Sequence, residues 1–565
     1  MSDSSQSDPN ALVVQVQDYH QRTKHRFEGY AKGPETLDWD AQPAPFRHFK
    51  GVLVVRLPRL SEIPTHSPVY AALQRPFAQL GQQSPLEPSL DSLGAWLQLS
   101  LGITAWKSYG PDRWAVRANP SSGNLHPVEA YVLVRGFPAL SDGLYHYEPE
   151  QHQLELRAVH SSVTTSHPSV AVILTSVMWR EQWKYGERAF RYCQLDTGHA
   201  QGALRYAAAA LGWTLAEQTH LGTATLARLT GVDRLEEFPA RRHPETEREE
   251  AEILLALGLD GHRPTPLDAQ ELRALADQAQ WQGVASSIDP YPMYQWPPVA
   301  AVAQASRSED QPYLDTPPLA AELPPQYPDS LPLVGQQAIQ QLIIQRRSAQ
   351  RFDPDYVLSA EGFRVLLARL QPSASVPWDT LSHPPRIALL AFVMNVEGLE
   401  PGIYLIPRHP DLWADLQPHL SNQYQPEPVP GFDGLLRLMT TEPLAVKRLS
   451  RSAHCHQDIA GGSCLTLGML VRFATTLEQE GPSAYRALYR EAGLIGQLLY
   501  LEAEAQQIRG TGIGCFFDDP VHTLVGLEGM SWQSLYHFTL GLPIVDSRIE
   551  TTPAYTDDLS ATHDA

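Results

Sequence analysis

The sequence predicts an α+β protein in which one domain is used twice in tandem, the two copies packed as an intrachain pseudo-dimer. Three observations carry that expectation. A proline-rich stretch without apolar period (Asp289-Pro290-Tyr291-Pro292, Trp296-Pro297-Pro298, Thr316-Pro317-Pro318, Leu323-Pro324-Pro325) divides the 565 residues and reads as an extended linker over 286–335. Motifs recur on its two sides in the same order. Their spacing also recurs: Gly198 to Gly231 and Gly493 to Gly526 are each 33 residues apart. A single long-period repeat implies a duplicated domain rather than a solenoid.

Taken in order, the first copy is expected within 1–285, with an N-terminal extension. The strand-like run Tyr131-Val132-Leu133-Val134 leads to Gly143-Leu144-Tyr145-His146-Tyr147, as Ile387-Ala388-Leu389-Leu390 leads to Gly402-Ile403-Tyr404-Leu405-Ile406 in the second copy, 336–550. A helix is expected to start at Asp196-Thr197-Gly198-His199 and run to about Gly212. Its counterpart starts at Glu491-Ala492-Gly493-Leu494, with Ile495, Leu498, Leu499 and Glu502 at helical spacing. The copies close on Leu257-Gly258-Leu259 and Leu540-Gly541-Leu542, and 551–565 reads as a disordered tail.

Composition narrows the class. Hydrophobic residues at 43% and charged residues at 19% are ordinary for a globular protein, and no apolar run approaches the roughly 20 residues that span a bilayer. The polar, acidic start Met1-Ser2-Asp3-Ser4 lacks the basic and apolar regions of a secretion signal, so a cytoplasmic location is expected. A net charge of −20 argues against general nucleic-acid binding, and suits a basic peptide partner only weakly. The four cysteines (Cys193, Cys455, Cys464, Cys515) form no CxxC pair and read as reduced thiols.

The chemistry-bearing motifs are split between the copies. Pro120-Ser121-Ser122-Gly123-Asn124, a small polar turn between strands, suits close approach to a flat hydrogen-bonding ring. Arg346-Arg347-Ser348-Ala349-Gln350-Arg351 sets three arginines within a turn and a half of helix, suited to gripping a dianionic phosphate in planar guanidinium forks. Ser348 could add a hydroxyl, and a nearby helix N-terminus its dipole. Together they describe one site for flavin mononucleotide (FMN); alone, the arginines would read as a solvated helix face. Gly512 and Gly514 bracket Ile513, and shedding side chains there would let a backbone N–H approach a flat ring, although a helix C-cap is the plainer reading. His126 and His199 could line the same pocket as structural hydrogen-bonders. His454-Cys455-His456 is not expected to hold a metal, because adjacent residues of an extended strand face opposite ways. No Rossmann glycine fingerprint follows a strand.

These stretches resemble the nitroreductase superfamily: Arg346-Arg347-Ser348-x-x-Arg351 before the Leu358-Ser359 helix start, the Pro-Ser-Ser-Gly-Asn turn, and Thr511-Gly512-Ile513-Gly514. More narrowly, Tyr19-His20-x-x-Thr23-Lys24-His25, Arg117 to Glu129, and Trp183-Lys184-Tyr185-x-x-Arg188-Ala189-x-Arg191-Tyr192 through Asp196-x-Gly198-His199 resemble the SagB-type (ThcOx-like) dehydrogenases that oxidise azoline rings in ribosomal peptides. The resemblance implies a tandem nitroreductase fold with FMN between the copies. Arg346, Arg347, Ser348, Arg351, Gly512, Gly514 and Arg548 would come from the second copy, and Pro120, Ser121, Ser122 and Asn124 from the first. It also implies Lys184 and Tyr185 as the catalytic pair, a lysine of lowered pKa or a phenolate taking the proton that leaves with an abstracted hydride.

The reciprocal site reads as degraded, with only Gln74-Arg75-Pro76 for the arginines, Trp378-Asp379-Thr380-Leu381 for the serine turn and Gln479-Glu480 for Lys184-Tyr185, so one FMN per chain is expected. The function this implies is dehydrogenation of a small cyclic or peptide-derived substrate. An NAD(P)H-fed nitroreductase or quinone reductase and a non-catalytic flavin- or peptide-binding scaffold remain the alternatives.

Overall fold

The computed structural model describes residues 9–161, 168–240, 242–313 and 335–555. Each copy is built around one large antiparallel sheet. In the first, the strand order is Gln280–Trp281, Gln153–Val159, Gly143–Glu148, Val128–Arg135, Ser169–Ser176, Glu250–Gly258 and Thr214–Glu217, with Val54–Arg56 also paired to Gln153–Val159. In the second it is Glu427–Pro428, Leu436–Thr440, Gly402–Ile406, Ile387–Val393, Leu465–Arg472, Trp532–Gly541 and Arg509–Ile513. The two orders match strand for strand except at the outermost position, which follows the rest in the first copy but precedes Leu436–Thr440 in the second. Central strands such as Ile387–Val393 are buried along their whole length, because helices and loops cover both faces.

The matched 33-residue spacing has a structural meaning. Gly231 and Gly526 end equivalent helices, Thr223–Thr230 and Asp518–Val525, in the left-handed region (φ +71° and +83°), where a side chain would be strained. Gly198 and Gly493 sit where the two longest helices, Ala189–Ala210 and Ala484–Ala505, cross. A Cβ on Gly198 would overlap the carbonyl oxygen of Arg490, and one on Gly493 that of Leu195, so the two backbones touch only because both residues are glycine. Both helices begin seven residues before the expected starts at Asp196 and Glu491. Their first turns are almost wholly buried, Phe190, Arg191, Tyr192 and Cys193 in one, Tyr485, Arg486, Leu488 and Tyr489 in the other, and a helix with so little wet face has a weak amphipathic period to read.

The crossing is the centre of the pseudo-dimer. Phe190 and Tyr485 stack face to face at 5.8 Å, and the helix Pro9–Arg22 carries Tyr19 and His20 against them. Arg188 and Arg191 of the first copy both reach Asp518 of the second, at 3.3 and 3.0 Å.

Two expectations about connecting segments are corrected. The stretch 286–335 is not extended throughout: Pro297–Ala305 is a helix whose first-turn prolines give up an N–H that would have had no partner. Val299, Val302 and Ala303 are buried, and Arg486 of the second copy donates to the carbonyls of Ala303 and Ser306. Thr316-Pro317-Pro318 and Leu323-Pro324-Pro325 lie outside the described residues. The tail is ordered through residue 555. Glu550–Pro553 pairs antiparallel with Ile103–Tyr109 of the first copy, and the Tyr555 hydroxyl donates to the Pro149 carbonyl at 2.7 Å. No helix among the described residues is long and apolar enough to cross a membrane.

Candidate functional site

The serine turn follows directly from the hairpin Ile103–Tyr109 and Asp112–Arg117. Residues Ser122–Asn124 form one tight 3-10 turn with Gly123 and Asn124 at φ +59° and +60°. Ser121 Oγ accepts from the His126 N–H at 2.8 Å, and Asn124 Nδ2 donates to the Ala115 carbonyl at 2.7 Å, so Asn124 shapes the turn with its side chain. Ser122 donates its N–H (3.1 Å) and its hydroxyl (3.0 Å) to Asp196 on the first long helix. Burial pushes the Asp196 carboxyl up to about 7, against the pull of the serine hydrogen bonds.

The arginine motif is placed differently from the helical expectation. The helix Ile339–Gln345 ends at Arg346, and the residues that follow, through Arg351, are neither helix nor strand. Arg346, Arg347, Ser348 and Gln350 line a cavity of about 370 Å³, whereas Arg351 does not line it. A helix C-terminus, not an N-terminus, adjoins the motif, so its dipole does not help an anion there. Arg548 also lies outside the cavity. It is exposed, ion-paired with Asp546 at 2.7 Å and stacked over Tyr109.

That cavity joins the copies. Pro120, Ser121, Ser122, Asn124, Tyr185 and Asp196 line it from the first, and Arg346, Arg347, Ser348, Gly512, Gly514 and Tyr500 from the second. At one end Arg346 is buried over the Tyr500 ring, and only its Nη2 is used, donating to the Arg117 carbonyl at 3.0 Å. Its Nε and Nη1 have no partner in the protein. Lys107, from the first copy, lies in the same cavity. Its pKa is lowered by burial and then by Arg347, Arg509 and Arg346, and Arg347 falls to about 10 through burial, Arg346 and Arg509. Crowded buried cations with unused donors are costly alone and favourable around an anion.

Of the expected catalytic pair, Tyr185 lines the cavity and Lys184 does not, a correction to its placement there. A Cβ on Gly123 would overlap the Tyr185 hydroxyl and lie 3.1 Å from Lys184 Nζ, so the glycine lets the serine turn and this pair meet. Burial lowers the Lys184 pKa, whereas burial and then Glu181 raise that of Tyr185 well above the phenol range. Tyr185 therefore stays protonated at neutral pH, a correction to its reading as a phenolate. Glu181, fully buried, has neither carboxylate oxygen hydrogen-bonded, and burial and then Asp196 push its pKa well above the usual carboxylate range.

The glycine loop is an edge strand, Arg509–Ile513, rather than a helix cap. Gly512 N–H donates to the Tyr500 hydroxyl at 3.0 Å, which also bonds Ser348 Oγ at 2.9 Å, so that amide is turned toward Tyr500. Side chains at Gly512 and Gly514 would collide with the Tyr536 hydroxyl and the Tyr192 ring. Both histidines considered line the cavity: His199 bonds Tyr536 at 3.1 Å and is driven down to about 3 by burial and Arg346, and His126 bonds the Ala115 carbonyl at 3.2 Å. His454-Cys455-His456 is not a strand. It follows a helix, with Cys455 and His456 at φ +52° and +59° and His454 bonded to His537 at 2.6 Å.

The reciprocal position is built otherwise. Arg205, the counterpart of Tyr500, forms a two-pronged pair with Asp379 (2.8 and 2.7 Å), and Glu217 stands where Gly512 stands in the other copy.

Comparison with known proteins matches this architecture. The Nitroreductase family profile matches residues 113–239 and 343–542, one stretch in each copy, and the chain belongs to that family. It is similar to MJ1384 of Methanocaldococcus jannaschii, named as a nitroreductase, at 30% identity over 141 residues, and to the trifolitoxin-processing protein TfxB of Rhizobium leguminosarum bv. trifolii, at 32% over 150 residues. These matches cover 23% and 24% of this chain, and 66% and 40% of those relatives, respectively. A solved chain from Anabaena variabilis, also named as a nitroreductase, shares the fold over 94% of this chain and 99% of its own, with a TM-score of 0.65 and 22% identity.

Proposed function

We propose that the chain is an FMN-dependent oxidoreductase that dehydrogenates a small cyclic or peptide-derived, azoline-like substrate, with one FMN in the composite cavity. The single observation that carries this reading is that buried Arg346, two of whose guanidinium nitrogens have no partner in the protein, and the Ser121-Ser122 turn of the other copy line one cavity. Arg346, Arg347 and Lys107 would hold the phosphate, and the serine turn and the strand ending at Ile513 would flank the ring. When bound, FMN supplies a two-electron acceptor for hydride. Arg351 and Arg548, carried over from the family resemblance, do not line the cavity and are left out.

The protein's own groups handle the proton. Lys184, its pKa lowered by burial, is the side chain proposed to take the proton, and protonated Tyr185 beside it can donate a hydrogen bond that orients the substrate. Asp196, titrating near 7, fixes the serine turn and is a second group able to exchange a proton in the working range. The trifolitoxin-processing relative is in keeping with a substrate made from a larger precursor.

Flavin released by denaturation and measured by absorbance should equal one per chain, and zero would return the scaffold reading. Anaerobic mixing with NADPH should leave the flavin oxidised; rapid bleaching would favour the reductase. Tyr185→Phe should keep the flavin and slow substrate oxidation, and full activity would remove its hydroxyl from the reaction.

A further inference from the structure

Two of the four cysteines are placed unlike the others. Cys193 and Cys464 are buried, with pKa values raised by burial, the second to about 12. Inert packing accounts for them. Cys515 instead lines the cavity, one residue beyond Gly514, and is only part-buried, as is Cys455.

The backbone brings these two together by ties on both sides. The Phe517 N–H donates to the Ala453 carbonyl at 2.8 Å, and Gln457 Nε2 donates to the Cys515 carbonyl at 2.8 Å. Between those ties Cys455 and His456 both take left-handed conformations, a strained arrangement for side-chain-bearing residues that turns Cys455 back on its neighbour. These ties set Cys455 beside Cys515, and the bridge that pairs His25 with Phe517 brings His25 to the same corner. Cys455, His25 and Arg188 favour the thiolate at Cys515, while the proton stays on Cys455; Tyr30, Tyr185, Tyr192 and the Arg188-bound carboxylate of Asp518 are further titratable groups at this corner. A stabilised, accessible thiolate beside a second thiol is the arrangement of an attacking cysteine with its resolving partner.

We propose that Cys515 and Cys455 form a peroxide-reactive thiol pair in the cavity wall, Cys515 attacking the oxidant and Cys455 resolving it to a disulfide. Attack of the Cys515 thiolate on hydrogen peroxide forms a sulfur–oxygen bond and breaks the O–O bond, leaving a sulfenic acid and a hydroxide that a proton converts to water. Cys455 then loses its proton as its sulfur attacks Cys515, and the sulfenic oxygen leaves as a second water. Two thiols have lost two electrons and two protons, and one peroxide has become two waters.

Reduced holoprotein is exposed to a small excess of hydrogen peroxide, trapped with iodoacetamide and digested without reductant for mass mapping. The expected product is a peptide pair joined through Cys455 and Cys515, with Cys193 and Cys464 recovered alkylated after denaturation. In Cys455→Ser, dimedone should label Cys515 instead. Before oxidation, native alkylation of Cys515 should outpace that of Cys464 by on the order of tenfold or more. Recovery of Cys515 and Cys455 as free thiols after peroxide, or alkylation of Cys515 as slow as that of Cys464, would overturn the proposal, and both readings come from the unmutated protein.

Discussion

Arg346 has three guanidinium nitrogens and one internal partner, which makes it the side chain whose removal is easiest to interpret. Arg346→Ala leaves the Arg117 carbonyl without that donor and removes two unpartnered nitrogens from a side chain that lines the cavity. Loss of charge-assisted bonds to a ligand phosphate costs about 1.5–3 kcal/mol, so FMN should wash out on dialysis at concentrations where the unmutated protein keeps it. Retention at equal affinity would show that the anion lies elsewhere. Asp196 makes a prediction of a different kind. Its folded pKa is raised to about 7, so its stabilising contribution is complete below the ordinary carboxylate range and is lost as pH rises through about 7. Urea midpoints should therefore show Asp196→Asn gaining on the unmutated protein between about pH 5 and about pH 8, and parallel pH curves would mean that this carboxyl is already ionised. None of this is legible in the residue string. Asp196 reads as a helix start, because what makes it special is its burial by partners far away in sequence. Lys107, on a strand of the other copy, gives no motif signal at all. Arg351 is misplaced by the sequence for a simpler reason: a helical period does not hold past Gln345, where the helix ends.

The element that decides the architecture is the crossing of the two 22-residue helices. Elsewhere in a helix, glycine to alanine stabilises by about 1 kcal/mol through propensity. At Gly493 the added carbon meets the Leu195 carbonyl, a backbone atom that cannot rotate away, and overpacking of that kind costs about 1–3 kcal/mol or more. Gly493→Ala should lower the unfolding midpoint despite its better propensity, and a raised midpoint would show that the crossing relaxes freely. The repeat was readable in the sequence because it depends on glycines that geometry demands: two at the crossing and two in left-handed caps, the same distance apart in each copy. The helix starts were not readable, since their opening turns are buried on nearly every side.

Over the whole molecule, duplication has been followed by division of labour. One composite cleft keeps Tyr500, Gly512 and a ligandless arginine; its twin holds Arg205, Glu217 and Asp379, which satisfy one another or their neighbours. Arg205→Ala would leave Asp379 without its partner and should destabilise the fold while leaving flavin stoichiometry at one per chain; a second equivalent would mean that the twin cleft is only plugged. The split of motifs across the proline-rich stretch was legible, whereas the ordering of that stretch was not, because the contacts that order Pro297–Ala305 come from Arg486, far along the chain.

A chain end is ordinarily the safest place to trim or to attach a tag. Here the last described residues act as a rivet: Glu550–Pro553 supplies the third strand of a sheet whose middle strand bears Lys107, and Tyr555 fastens the far side. Shortening the protein after Ile549 should therefore loosen nucleotide retention from a distance, without touching a single residue of the cleft, and a truncated protein that holds its flavin as tightly as before would show the hairpin to be self-supporting.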